Sequence, residues 1–512
     1  MPHTLHNSTM QTAVELDEYL SGVIASAYRD TSLICSPAVS RNPFLSPFLL
    51  HAVEESRDQA PGVGRWAIAR KLVLYFVRSF ACLLFLGLCY LTFALSKLRY
   101  RRRKADKDED LIVVDTYTVV DRIYQHGKFE DAFFGSLHDI LAGRGRQSAV
   151  LCFLEAYNPR NLWRRLATYN ILARDGRNFL TEFELLSMRQ WLALLRFVLV
   201  YPFATLRLAR KSFGRFDQLF RRELIDALDR PQLLNYIRYL AGLRLGTLTD
   251  RKLKVIAWCE NQVIDKLLYR GVRDSGCEAT IYGCQFFTKP FLWRNLYPLE
   301  EEAARGVLPD VILVSGKHYL EDSNLNMQLG VSPRYNYLFD IRLDEKSVAG
   351  RRGLAVLLPY DMVHSRTIIA GVAEYDPSDS VRLKLHPNHE LMQPFDYPET
   401  WRQTEDHLSA ICADSRIVIT AGSGTALEAA VMGCSVIIVG KNAGLTFHPM
   451  PAYGKGKLWD LIFNPGDLAG AADRLSSYRQ EHPDEIVAMA GELRDMFFTE
   501  ATEERFIRLF DL

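Results

Sequence analysis

From residue 110 onward the chain alternates short apolar runs with helix-like stretches, and that alternation leaves few folds open. The runs DLIVVDTY (110–117), SAVLCFL (148–154), LKVIAWCE (253–260), EATIYGCQ (278–285) and PDVILVSG (309–316) are rich in Val, Ile, Leu and aromatic residues, with polar or glycine positions at their ends. A second set begins near residue 353 with GLAVLLPY, SVRLKLHP, SRIVITAG and CSVIIVG. Runs this short and apolar read as strands buried on both faces. Buried strands alternating with helices form parallel sheets covered by helices. The polar stretch YLEDSNLNMQLGVSPRYNY separates the two sets and reads as a linker. The expectation is an α/β chain of two doubly wound domains, over 110–330 and 350–490, facing a cleft, with a C-terminal helix over 491–512. A chain of 512 residues is long enough for more than one core. In such sheets ligands bind at the carboxyl ends of the strands, so the cleft is the expected site.

Composition narrows the class of partner. A formal net charge of +1 gives no global reason to expect nucleic acid. The 9 cysteines are scattered with no Cys-x-x-Cys pair, which suits buried thiols in a reducing compartment. Charge is uneven locally. The run SFACLLFLGLCYLTFALS (79–96) is uncharged and is followed by KLRYRRRKADK. About 18 uncharged residues just suffice to span hydrocarbon as a helix. The basic flank then places the C-terminal part in the cytoplasm. Residues 72–98 are therefore expected to be a transmembrane helix in the inner (cytoplasmic) membrane, with the two domains on the cytoplasmic side. No signal-peptide cleavage site follows the run. A second stretch, RQWLALLRFVLVYPFATLRLARK (189–211), is apolar but carries Arg189, Arg196, Arg207, Arg210 and Lys211, with Pro202 inside it. That pattern fits a helix lying in the membrane interface and equally a helix packed on its own domain. Residues 1–70 show no sustained period and read as short helices plus flexible chain.

Three strand ends carry residues suited to chemistry. In TAGSGTALEA (420–429), Gly422 and Gly424 allow an unusual backbone, Ser423 and Thr425 supply hydroxyls, and a helix follows. Amide groups and the dipole at a helix start favour phosphate, and Glu428, one turn in, is placed to reach a ribose hydroxyl pair. The same residues would serve as a plain capped turn. In KLHPN (384–388), Pro387 ends the strand after His386, and Lys384 shares the face of His386 because strand side chains alternate. An imidazole there can donate to a phosphate oxygen and assist its departure. Glu260, ending the run AWCE, suits either a helix cap or a general base. Gln285 is expected beside it, and Asp115 and Tyr117 are weaker candidates.

The order ENQ…YGCQ…LPD…HPN…GSGTALEA resembles the bacterial GT-B glycosyltransferases of surface and capsular polysaccharide synthesis. Among these it is most similar to sialyl- and polysialyltransferases and Kdo transferases, which use CMP-linked acidic sugars. The resemblance runs over about residues 110–490 and implies two Rossmann-like domains of GT-B type. It implies His386 on the donor phosphate, Ser423 and Thr425 holding that phosphate, and Glu260 deprotonating the acceptor hydroxyl. It also implies a nucleotide-sugar donor, a glycan or lipid-linked glycan acceptor, a membrane, and other polysaccharide-assembly proteins as partners. The chain departs from the sialyltransferase pattern in following Glu260 with Asn261 and Gln262, and in a Ser-Gly-Thr turn. A UDP- or GDP-linked donor therefore stays open. No Asp-x-Asp motif stands at a suitable strand end, so neither a metal nor another cofactor is expected. Two other readings use the same residues: transfer of glycerophosphate or sugar phosphate from a CDP-linked donor, and a non-catalytic assembly protein with a degenerate nucleotide site.

Overall fold

The computed structural model describes residues 2–42, 64–100, 105–118, 120–152, 161–320, 323–375, 380–386, 395–441 and 445–512. The front sheet contains β1 (Leu111–Thr116), β2 (Ser148–Cys152), β3 (Phe179–Thr181), β4 (Leu253–Trp258), β5 (Ala279–Gln285), β6 (Val311–Val314) and β7 (Met327–Leu329). The back sheet contains β8 (Gly353–Leu357), β9 (Val381–Lys384), β10 (Arg402–Gln403), β11 (Ser415–Thr420), β12 (Ser435–Val439) and β13 (Trp459–Ile462). Strand order is β3-β2-β1-β4-β5-β6-β7 in one sheet and β10-β9-β8-β11-β12-β13 in the other. Every neighbouring pair is parallel. The fold class is therefore α/β with two doubly wound domains, as the alternation predicts. In each sheet the order reverses once, between β1 and β4 and between β8 and β11. The crevices outside the carboxyl ends of those pairs are where such sheets hold ligands. Glu260 leaves β4 and the 421–424 turn leaves β11, so each lies at a reversal point.

The domain boundaries differ from the expected ones in three places. β7 lies inside the stretch read as a linker and extends the front sheet. The C-terminal region is two helices, Pro483–Phe497 and Glu503–Phe510. The second returns to the front domain, where Phe506 and Phe510 are fully buried with Ile112, Val114 and Trp258. Lys254 Nζ fixes that return by donating to the carbonyls of Phe510 and Asp511.

The third difference lies in residues 2–42, which pack on the front domain. Helix α1 (Pro2–Ala27) packs Leu16, Leu20, Val23 and Ile24 into the front core. The chain then runs to Arg41, whose guanidinium meets Glu302 at 2.8 Å and donates to the carbonyls of Arg294 and Tyr297. Lys266 Nζ reaches the other Glu302 oxygen at 2.6 Å, and all three side chains are nearly inaccessible. Burial alone would raise the Glu302 carboxyl; the two cations outweigh it and hold it at about 2.

Helix α2 (Arg65–Arg99) contains the expected span. It lies against α3 (Leu162–Arg174) and against α4 (Met188–Leu208), the second apolar stretch. Phe93 meets Tyr169 of α3 edge-on at 5.6 Å, and Tyr75 meets Tyr201 of α4 at 5.8 Å.

Candidate active site

The front wall begins where β4 ends. Asn261 turns the chain with φ of 53°, a left-handed conformation that Asn adopts more readily than other side chains. Its side-chain amide donates to the Asn295 carbonyl at 2.9 Å and to Glu302 at 3.3 Å, so the Arg41–Glu302–Lys266 cluster braces this corner. Helix α5 (Val263–Asp274) starts immediately afterwards. Its capping carboxylate is Asp265, which accepts from the amides of Gln262 at 2.9 Å and Glu260 at 3.1 Å. Glu260 is thereby released from the capping role. Its carboxylate accepts instead from Trp258 Nε1 at 3.0 Å and Gln262 Nε2 at 2.7 Å. Burial pushes the Glu260 carboxyl up from its usual range, while those two donors and the field of Arg334 draw it back.

The back wall is the turn after β11. Ser423 caps α6 (Gly424–Val431), its hydroxyl oxygen accepting from the Thr425 amide at 3.3 Å and from Thr425 Oγ1 at 3.0 Å. The Ser423 hydroxyl thus accepts twice within the turn and keeps its own proton to donate. Both glycines are required by close approach. A Cβ on Gly422 would sit 1.5 Å from the Phe447 carbonyl oxygen, and one on Gly424 would sit 2.6 Å from Thr288 Oγ1. Thr288 belongs to the front domain, just past β5, so the two domains touch at this turn. Trp293 of the front domain faces Phe447 of the back domain at 6.2 Å, closing the same side. One turn into α6, Glu428 Oε2 accepts from Tyr337 Oη at 2.5 Å. Burial raises the Glu428 carboxyl; the Tyr337 bond and Arg334 act against it.

Arg334 is the residue that sequence reasoning missed. It lies in the 3-10 segment Pro333–Phe339, within the stretch read as a linker. Its side chain is exposed, with the guanidinium 5.9 Å from the Phe133 ring and 6.0 Å from Tyr335. Its field reaches both Glu260 from the front domain and Glu428 from the back. Phe133 in turn packs at 4.6 Å, tilted, against Trp258, the Glu260 donor. A hollow of about 400 Å³ opens beside Arg334, lined by Tyr117, Arg122, His126 and Phe133 among others. A lone Arg in an irregular polar stretch gives no periodic or motif signal; only the placement of β7 would have directed attention to it.

Other expected residues fare differently. His386 lies two residues past β9, edge-on to Tyr360 at 5.6 Å, and desolvation lowers its pKa. Its neighbour in the sheet is β8, so the β9 and β11 ends are not adjacent; with one strand between, they are about 10 Å apart. Glu260 follows β4 of the front sheet and His386 follows β9 of the back sheet. Lys384 ends β9 and donates to the Asp406 carbonyl at 2.7 Å, which makes it a tether between segments. Pro387 lies outside the described residues. Asp115 forms a buried pair with Arg238, at 3.0 Å and 2.5 Å, and has a structural role. Gln285 is buried and donates to the Leu296 carbonyl while accepting from Lys289, which engages both ends of its amide. Among the described residues no three His, Cys, Asp or Glu side chains gather as a metal site.

No family model and no curated protein sequence matches the chain. Solved structures align along most of its length at TM-scores below 0.5. The glycotransferase of kitacinnamycin is 12% identical, with 79% of this chain and 99% of that one covered at a TM-score of 0.40. Acinetobacter baumannii MurG is 10% identical, covering 79% and 99% at 0.37. Two structures of the wall teichoic acid polymerase TagF are 7% and 9% identical, covering 87% and 88% of this chain and 96% and 97% of those, each at 0.37. Likenesses this distant carry no argument about function, which rests on the cleft itself.

Proposed function

We propose that the chain is a glycosyltransferase that moves a sugar from a nucleotide-sugar donor to a hydroxyl of a glycan acceptor. The carrying observation is the junction at the turn: Thr288 of the front domain packs on Gly424 of the back domain, and Arg334 lies within the field of both Glu260 and Glu428. An acid from each domain thus lies within the field of one guanidinium, which lines the hollow beside Phe133.

In this reading the donor ribose meets Glu428 and its phosphate meets the Gly422–Thr425 turn, with Arg334 adding positive charge. The acceptor enters from the side of Phe133 and Tyr117. Glu260 takes the acceptor proton, and the acceptor oxygen attacks the anomeric carbon. The bond from that carbon to the phosphate oxygen breaks, and its electron pair leaves with the nucleotide. His386, whose pKa desolvation lowers, donates a hydrogen bond to the departing phosphate. A CMP-linked acidic sugar as donor and a lipid-linked polysaccharide as acceptor are the finer form of this proposal, and need no metal. A CDP-linked glycerophosphate donor would use the same turn.

The test is nucleotide release and glycan transfer with a panel of CMP-, CDP-, UDP- and GDP-linked donors. Glu260→Gln and His386→Ala should each lose transfer while keeping the wild-type melting curve. Wild-type turnover in a folded His386→Ala removes the imidazole from the mechanism, and in Glu260→Gln it removes the proposed base.

A further inference from the structure

Helix α2 does not stand clear of the molecule. One stripe of it, Tyr75, Ser79, Leu86, Cys89, Phe93 and Ser96, is buried against the front domain. Arg78 pairs with Asp229 at 2.9 Å, and Lys71 with Asp226 at 2.9 Å. The opposite stripe, Val73, Val77, Phe80, Leu84, Leu88, Leu91 and Leu95, is exposed along its whole length, Leu84 by 74%. Intervals of three and four residues keep these side chains on one face. Helix α4 repeats the pattern: Leu194, Phe197, Val198 and Tyr201 are buried, while Leu192, Leu195, Leu199 and Phe203 are exposed. The two helices lie side by side and antiparallel, since Tyr75 meets Tyr201 at 5.8 Å and Tyr90 meets Trp191 at 6.2 Å.

We propose that α2 and α4 form a paired platform that seats the front domain on an anionic lipid surface, with α2 lying along the bilayer rather than crossing it. A perpendicular crossing would carry everything packed on α2 into hydrocarbon, including Asp226, Asp229 and the buried Arg165–Glu182 pair. Soluble monomers rarely expose an unbroken apolar face beyond a few hundred Å². Charge selects the occupant. Neither residues 64–100 nor residues 188–211 contain a single Asp or Glu, yet they carry Arg65, Arg70, Lys97, Arg189, Arg196, Arg207, Arg210 and Lys211. Two apolar stripes on helices whose own charged residues are all cations are complementary to anionic headgroups over acyl chains. This inference stands apart from the transferase reading.

The test is flotation of the full chain with phosphatidylcholine vesicles, with and without phosphatidylglycerol. Binding should require the anionic lipid, and Leu84→Glu with Leu195→Glu should weaken it by roughly tenfold or more at an unchanged melting curve. Ala67→Cys and Lys97→Cys, compared with the parent chain, should both react with a membrane-impermeant maleimide added outside vesicles that carry the bound protein. Protection of one of them overturns the in-plane arrangement in favour of a span. An absence of vesicle binding overturns the lipid platform itself, including the case in which the glutamate variants only convert a dimer to monomers.

Discussion

At the residue scale, the site depends on how Glu260 is held. Two donors stabilise its anion and burial opposes it, with burial the largest effect. The acidic limb of the pH–rate profile should therefore lie above the ordinary range for a glutamate. Gln262→Leu removes a donor that favours the anion, so it should move that limb further up; a limb left in place would mean Glu260 is not the base being read. Arg334→Met removes a cation that lowers both Glu260 and Glu428, and should shift the limb in the same direction while weakening donor binding. The shift will be small, because the guanidinium is exposed and screened. Glu260→Gln should cost about 10²–10⁴ in turnover without loss of stability, measured by steady-state kinetics beside thermal melts. Glu260 was legible in sequence because a carboxylate closing an apolar strand is unusual. Its escape from capping was not, since that depends on Asp265 five residues on taking the amides instead. Arg334 was illegible because its meaning comes from Phe133 and two acids distant in the chain.

At the element scale, the interface between domains passes through the α6 turn. Gly424→Ala places a methyl against Thr288 and should destabilise by about 1–3 kcal/mol, and Thr288→Ala should relieve most of that. A double-mutant cycle reads this directly; simple additivity would mean that the two elements are not in contact. The strands that were legible are the four- to seven-residue apolar runs. β3 and β10 have three and two residues, too few to show alternation. The N-terminal segment was read as partly flexible because its order comes from Arg41, whose acid partner Glu302 is 261 positions away. Arg41→Met should destabilise by about 3–5 kcal/mol, since it leaves one charge of a buried cluster unbalanced. Glu302 has a pKa depressed from 4.5 to about 2. Its contribution to stability is therefore complete above pH 4.5 and is lost as pH falls toward 2, which acid unfolding of wild type and variant will show.

At the scale of the whole molecule, two doubly wound sheets, a C-terminal helix that returns to the front domain and an N-terminal segment sewn beneath the Glu260 corner make one framework around a cleft. Alternation and length were enough to predict the two sheets, because period and burial are written locally. Which face of α2 is covered was not, because hydropathy counts apolar residues without saying what lies beside them. The most direct measurement is the melting temperature of the full chain with each of CMP-, CDP-, UDP- and GDP-linked donors. One donor class should raise it, through binding to the folded state alone. That rise should vanish in Glu428→Ala and persist in Glu260→Gln, which binds but does not transfer. If no donor stabilises the wild type, or if Glu428→Ala responds as the wild type does, the cleft is not a nucleotide-sugar site.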